Sequence, residues 1–94
     1  PNIRWDAAIG LAKMGDKSSA PIIENLMDRD YLSSFPELDF KEVNKVIMIA
    51  IEASKMVQDK RFEPKLVLLA ETDKSLKIRD AAMKTLKNSY NRII

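Results

Sequence analysis

The feature that most narrows what this chain can fold into is a helical register that appears near both of its ends. Ile3, Ala7 and Leu11 stand four residues apart, and so do Ile78, Ala82 and Leu86. A step of four returns a side chain to nearly the same face of an α-helix. The neighbours repeat as well: Ile3-Arg4-Trp5-Asp6-Ala7-Ala8 reads again as Ile78-Arg79-Asp80-Ala81-Ala82, one residue shorter. A third copy is found through the segment that follows it. Asp16-Lys17 with Pro21 matches Asp59-Lys60 with Pro64, an offset of 43 that sets Val46 opposite Ile3 and Ala50 opposite Ala7. Ile3, Val46 and Ile78 then begin equivalent helices, 43 and 32 residues apart. Repetition on that scale marks stacked supersecondary units.

The segments between these starts carry the same period. Ile3, Ala7, Ala8, Leu11 and Met14 predict one apolar face of a first helix, which Gly15-Asp16 ends. Ser18 or Ser19 suits the cap of a second, with Pro21 in its first turn and Ile22, Ile23, Leu26 and Met27 inward. Residues 29–38 break the pattern with Tyr31, Phe35 and Pro36 among acids and serines. Asp39 and Glu42 have capping-box spacing, so a long helix follows through Val43, Val46, Ile47, Ala50, Ile51, Ala53, Ser54 and Val57. Apolar residues cover much of its circumference, which makes it the most buried element. After a polar turn at 58–61, Pro64 opens a helix with Leu66, Leu69 and Ala70 inward. Ile78, Ala82, Leu86 and Tyr90 mark the last one. Two glycines and four prolines in 94 residues are too few to punctuate a β-rich fold. The expectation is five helices.

A helix that opens Ile-Arg, continues Ala-Ala and Leu, closes at Gly-Asp and is followed by a helix with an early Pro resembles a HEAT repeat. Residues 3–28 carry that pattern through Ile3, Arg4, Ala7, Leu11, Gly15, Asp16 and Pro21. Residues 75–88 carry its first helix. Residues 40–72 depart from it, with Ile47 where Arg is usual and Val57-Gln58 in place of Gly-Asp. The resemblance implies an all-α fold: an α-solenoid of antiparallel helical hairpins, about two and a half repeats. The single domain 1–94 divides into a repeat at about 2–30, an aromatic insertion at 29–38, a repeat at about 39–73 and a half repeat at 75–90. The chain opens on Pro1, and Tyr90, Ile93 and Ile94 are apolar where a capping helix is polar. The expectation is a piece of a longer solenoid, or ends that associate with one another.

Composition removes whole classes of chemistry. The chain has no His and no Cys, so the usual general base, thiol nucleophile and thiolate metal ligand are missing. Asp28, Asp30, Glu37, Asp39 and Glu42 cluster in sequence, but no Gly stands where a calcium loop turns. Helix capping explains these carboxylates better. Arg4 and Arg79, with Asp16 and Asp59, read as a structural Asp–Arg ladder between repeats. No catalytic residue, metal or cofactor is expected. No apolar run reaches the roughly 20 residues of a membrane span. Residues 1–52 carry net charge −3 and residues 53–94 net +5, but Asp59, Glu63, Glu71 and Asp73 interrupt the basic half. That interruption weighs against a nucleic-acid partner.

What remains is a non-catalytic scaffold that binds a protein. In the family this chain resembles, second helices line the concave surface. That implies a partner surface of Asn25 and Asp28 with Lys65, Leu68 and Glu71, edged by Tyr31 and Phe35 from the insertion. Alternative readings are a regulatory or lyase-accessory segment of a larger enzyme, or a weak nucleic-acid-binding module.

Overall fold

The computed structural model describes residues 2–91, with side chains from Arg4 onward, and every regular element among them is helical. Six α-helices follow in order: α1 (Asn2–Lys13), α2 (Ala20–Leu26), α3 (Arg29–Ser33), α4 (Phe40–Val57), α5 (Phe62–Thr72) and α6 (Leu76–Ser89). A single 3-10 turn, Lys17–Ser19, leads into α2.

Their boundaries follow from local chemistry. Gly15 ends α1 at φ 76°, where its N–H donates to Ala12 O and the N–H of Asp16 reaches back to Leu11 O. Those two bonds satisfy carbonyls that the helix leaves open. Asp28 starts α3 by accepting the N–H groups of Asp30 and Tyr31 at 3.0 and 3.2 Å. α4 begins with the full capping box: Asp39 accepts from the Glu42 N–H at 2.8 Å, and Glu42 accepts from the Asp39 N–H at 3.4 Å. Ser75 caps α6 through the Ile78 N–H.

The turns after α1 and α4 have the same geometry, 43 residues apart. Gln58 takes the left-handed conformation of Gly15, at φ 49°. Asp59 accepts from the Arg61 N–H at 3.0 Å, as Asp16 accepts from the Ser18 N–H at 2.9 Å. The Phe62 N–H donates to Asp59 O, as the Ser19 N–H does to Asp16 O.

Packing centres on α4, which touches α1, α2, α3 and α6, while α5 lies along α6. The backbone forms a slab of 36 × 29 × 16 Å, close to two helix layers at the usual spacing of about 8–10 Å between axes. Ile23, Leu26, Ile47, Ile51, Phe62, Leu66, Ile78 and Leu86 fill its middle. No helix among the described residues is long and apolar enough to cross a membrane.

Three sequence expectations change, and a fourth falls outside the described side chains. The helices number six among the described residues, not five, because Asp28 nucleates α3 inside the 29–38 insertion. The inward face of α1 is Trp5, Ala8 and Ala12, whereas Ala7 is exposed and Met14 is 80% exposed. The first helix is apolar on two sides, and the side holding Trp5 wins because an indole buries far more area than alanine. Ile3, Ile93 and Ile94, counted in the repeat and its apolar end, lie outside the described side chains. Finally, the Asp–Arg ladder does not form. Asp16 and Asp59 cap their own turns, and their partners two residues on hold both carboxyls below the usual range. A bond two residues away closes a shorter loop than one between repeats.

Candidate partner-binding surface

Helix α5 turns Phe62, Leu66 and Leu69 inward. Its outer face carries Leu68, which is 57% exposed. On one side of Leu68 an open depression of about 690 Å³ is lined by Lys60, Glu63, Pro64, Val67 and Glu71. On the other side a groove of about 230 Å³ runs between α5 and the α2–α3 junction, lined by Met27, Asp28, Asp30, Leu69 and Thr72 among others. Leu68 is therefore an apolar ridge shared by two concavities.

Charge pairing fixes the walls. Lys65 Nζ donates to Asp28 Oδ2 at 3.2 Å, tying α5 to the start of α3. Partial burial pushes the Asp28 carboxyl up, but the Tyr31 N–H and Lys65 together outweigh it and hold the group below its ordinary value. The neighbouring Arg29–Asp73 pair is the more buried of the two. Arg29 donates Nε to Asp73 Oδ1 at 2.8 Å and Nη2 to Asp73 Oδ2 at 2.9 Å, a bidentate fork. The same Nη2 reaches Asn44 Oδ1 on α4 at 2.7 Å, and the guanidinium sits 5.1 Å from the centre of the Phe40 ring. Asp73 also accepts from the Ser75 N–H at 2.9 Å, and its backbone carbonyl accepts from Arg79 Nε at 2.7 Å. Burial raises the Asp73 carboxyl, yet Arg29 and the Ser75 N–H bring it below the normal range. One arginine thus clamps α3, α4 and the α5–α6 turn.

These carboxylates and cations are occupied by structure. The side chains left for an incoming surface are the Leu68 ridge and the exposed Lys60, Lys74, Glu71 and Asp30, none of which has an ion pair among the described residues. Such a set can bind by shape and charge. It offers no activated nucleophile. Among the described residues no three Asp or Glu side chains converge as a metal site.

The residues expected from sequence separate into two groups. Asp28, Lys65, Leu68 and Glu71 come together on or beside α5. Asn25 is exposed on α2 but lines neither concavity. Tyr31 and Phe35 are half-buried and line neither concavity. Their rings meet edge to face at 5.3 Å, and Phe35 meets Trp5 the same way at 5.5 Å. The insertion is a lid over α1 held by aromatic edges.

Sequence reasoning missed Arg29 and Asp73, because a pairing across 44 positions leaves no local trace. It also missed a second concave feature between α1 and α4. Trp5, Asp6, Ile9, Val46 and Ile49 bound about 300 Å³ there, and Ile9, Lys13, Ile49, Glu52, Ala53 and Met56 bound a further 190 Å³. Its signal was present in the apolar excess of α4, whose Ile49 and Met56 stay about half exposed.

A scan against protein-family models, a search of curated proteins and a search of solved structures each found no match to this chain.

Proposed function

We propose that this protein is a non-catalytic protein-binding module of HEAT-like solenoid type, and that a partner protein docks across α5 with Leu68 as its anchor. The observation that carries the reading is Leu68 itself: a large aliphatic side chain, 57% exposed, between two concavities on a rigid helix. Apolar anchors in a charged rim are how compact interfaces concentrate their binding energy. The solenoid reading rests on the turn geometry repeated after α1 and α4 and on the side-by-side packing of α1, α4 and α6. A partner fits this surface better than a nucleic acid, because Glu71 and Asp30 stand among Lys60 and Lys74.

The test is affinity capture with the wild-type chain, with Leu68→Asp and with Met14→Asp, an exposed apolar control in the turn after α1. Proteins retained by the wild type and by Met14→Asp but lost from Leu68→Asp support the reading. A set of bound proteins unchanged across all three overturns it. Retention on heparin that collapses above about 0.2 M salt moves the assignment to a nucleic-acid binder.

A further inference from the structure

The groove between α1 and α4 shares no residue with the α5 surface, and its α1 wall has an unusual composition. Asp6, Ile9, Gly10 and Lys13 fall at i, i+3, i+4 and i+7, so they form one stripe along the helix. Gly10 stands in the middle of α1, where glycine is the poorest helix former after proline. No contact among the described residues accounts for it. A Cβ built on Gly10 meets no atom within 4 Å, and its backbone is ordinary right-handed helix. What glycine supplies at such a point is a flat spot on which another backbone can rest.

The charges beside it are equally unused. Asp6 and Lys13 are exposed and have no ion pair among the described residues. They lie the same distance either side of the Ile9–Gly10 peptide bond. A two-fold axis through that point makes the stripe complementary to itself. In an antiparallel register Ile9 faces Gly10 of the other copy, a knob over a hole, and Asp6 faces Lys13 at both ends. Ile49 and Met56 of α4 add apolar surface along the flank of the same groove.

We propose that α1 of a second copy of this chain lies antiparallel in the groove between α1 and α4, forming a two-fold dimer centred on Ile9 and Gly10. The assembly leaves α5 open, so each protomer keeps its partner surface.

Sedimentation velocity on the whole chain, from low micromolar to near-millimolar concentration, reads the result. The wild type shifts to dimer as concentration rises. Asp6→Lys alone and Lys13→Asp alone each set like charges opposite one another, and each weakens association by about tenfold or more. Mixed in equal amounts, the two variants restore it, because every facing pair is again of opposite sign. Gly10→Gln fills the flat spot, and circular dichroism shows it folded, since nothing inside the protein opposes the new side chain. That variant stays monomeric. A wild type that is monomeric throughout overturns the proposal. So does a dimer that Gly10→Gln leaves intact, or a mixture of the two charge variants that fails to associate.

Discussion

Asp73→Ala is the most informative single change, because the clamp it breaks joins three elements that the chain connects only at long range. The Asp73 side chain is 2% exposed and that of Arg29 13%. Removing one partner of a buried pair costs roughly 3–5 kcal/mol, mostly from the charge left behind. Arg29 keeps Asn44 and the face of Phe40, and it retains some contact with water. The lower end applies, about 3 kcal/mol, a large share of the roughly 5–15 kcal/mol that holds a small domain. For a chain this size each kcal/mol lowers Tm by about 4–8 °C, so the midpoint falls by roughly 12–24 °C. Thermal and urea unfolding followed by far-UV circular dichroism measure it, with an unchanged m value showing that stability alone has moved. Arg29→Met with Asp73→Asn then separates pair from charge. Asn retains the cap on Ser75 and no charge is stranded, so the double variant recovers to within about 1 kcal/mol of wild type. A loss below about 1 kcal/mol for Asp73→Ala refutes the argument, as it makes water an adequate substitute for the carboxylate. The pair also sets the acid limb. The folded carboxyl lies below its unfolded value of about 3.9, so its contribution is complete above that pH and fades as pH falls through the folded value. Stability of Asp73→Ala is correspondingly flatter with pH below about 4.

Three further predictions use other parts of the fold. Gln58 holds φ 49° where Gly15 holds φ 76°, so Gln58→Gly relieves the left-handed turn and raises stability by about 1 kcal/mol in urea unfolding. Trp5 is buried against Phe35, and Trp5→Ala costs about 3 kcal/mol; because it is the single tryptophan, its emission moves to the red on unfolding of the wild type. The Tyr90 hydroxyl donates to Ser54 O at 2.8 Å, and burial above all pushes it up to about 12, so in Tyr31→Phe the phenolate absorbance appears near that pH. Since the neutral form is the one favoured, Tyr90 stabilises fully below its unfolded value of about 10, and that stabilisation is lost as pH rises through about 12.

Most of the helices were legible because their signals are local. The capping box at Asp39 and Glu42, the Gly15 terminator and the three- and four-residue spacing in α4 and α6 act within a turn or two, and the chain states them directly. Even α3 had a readable start in Asp28, hidden by its brevity. Of the candidate surface, Leu68 and its charged neighbours were named from the family resemblance, which places second helices on the concave side, and the structure leaves Leu68 exposed on α5.

Tertiary structure decided the choices that propensity leaves equal. α1 could bury either of two apolar sides, and the one with Trp5, whose large ring meets Phe35 edge to face, is the one turned inward. Tyr31 and Phe35 show no partner in the sequence, and only the folded chain brings Phe35 edge to face with both Tyr31 and Trp5. Arg29 finds Asp73 only after the two helices between them in sequence, α4 and α5, have folded back. The physical reason is one of range. A helix closes its hydrogen bonds within four residues, whereas which face it buries and which charge it meets depend on elements that it touches only once the chain has collapsed.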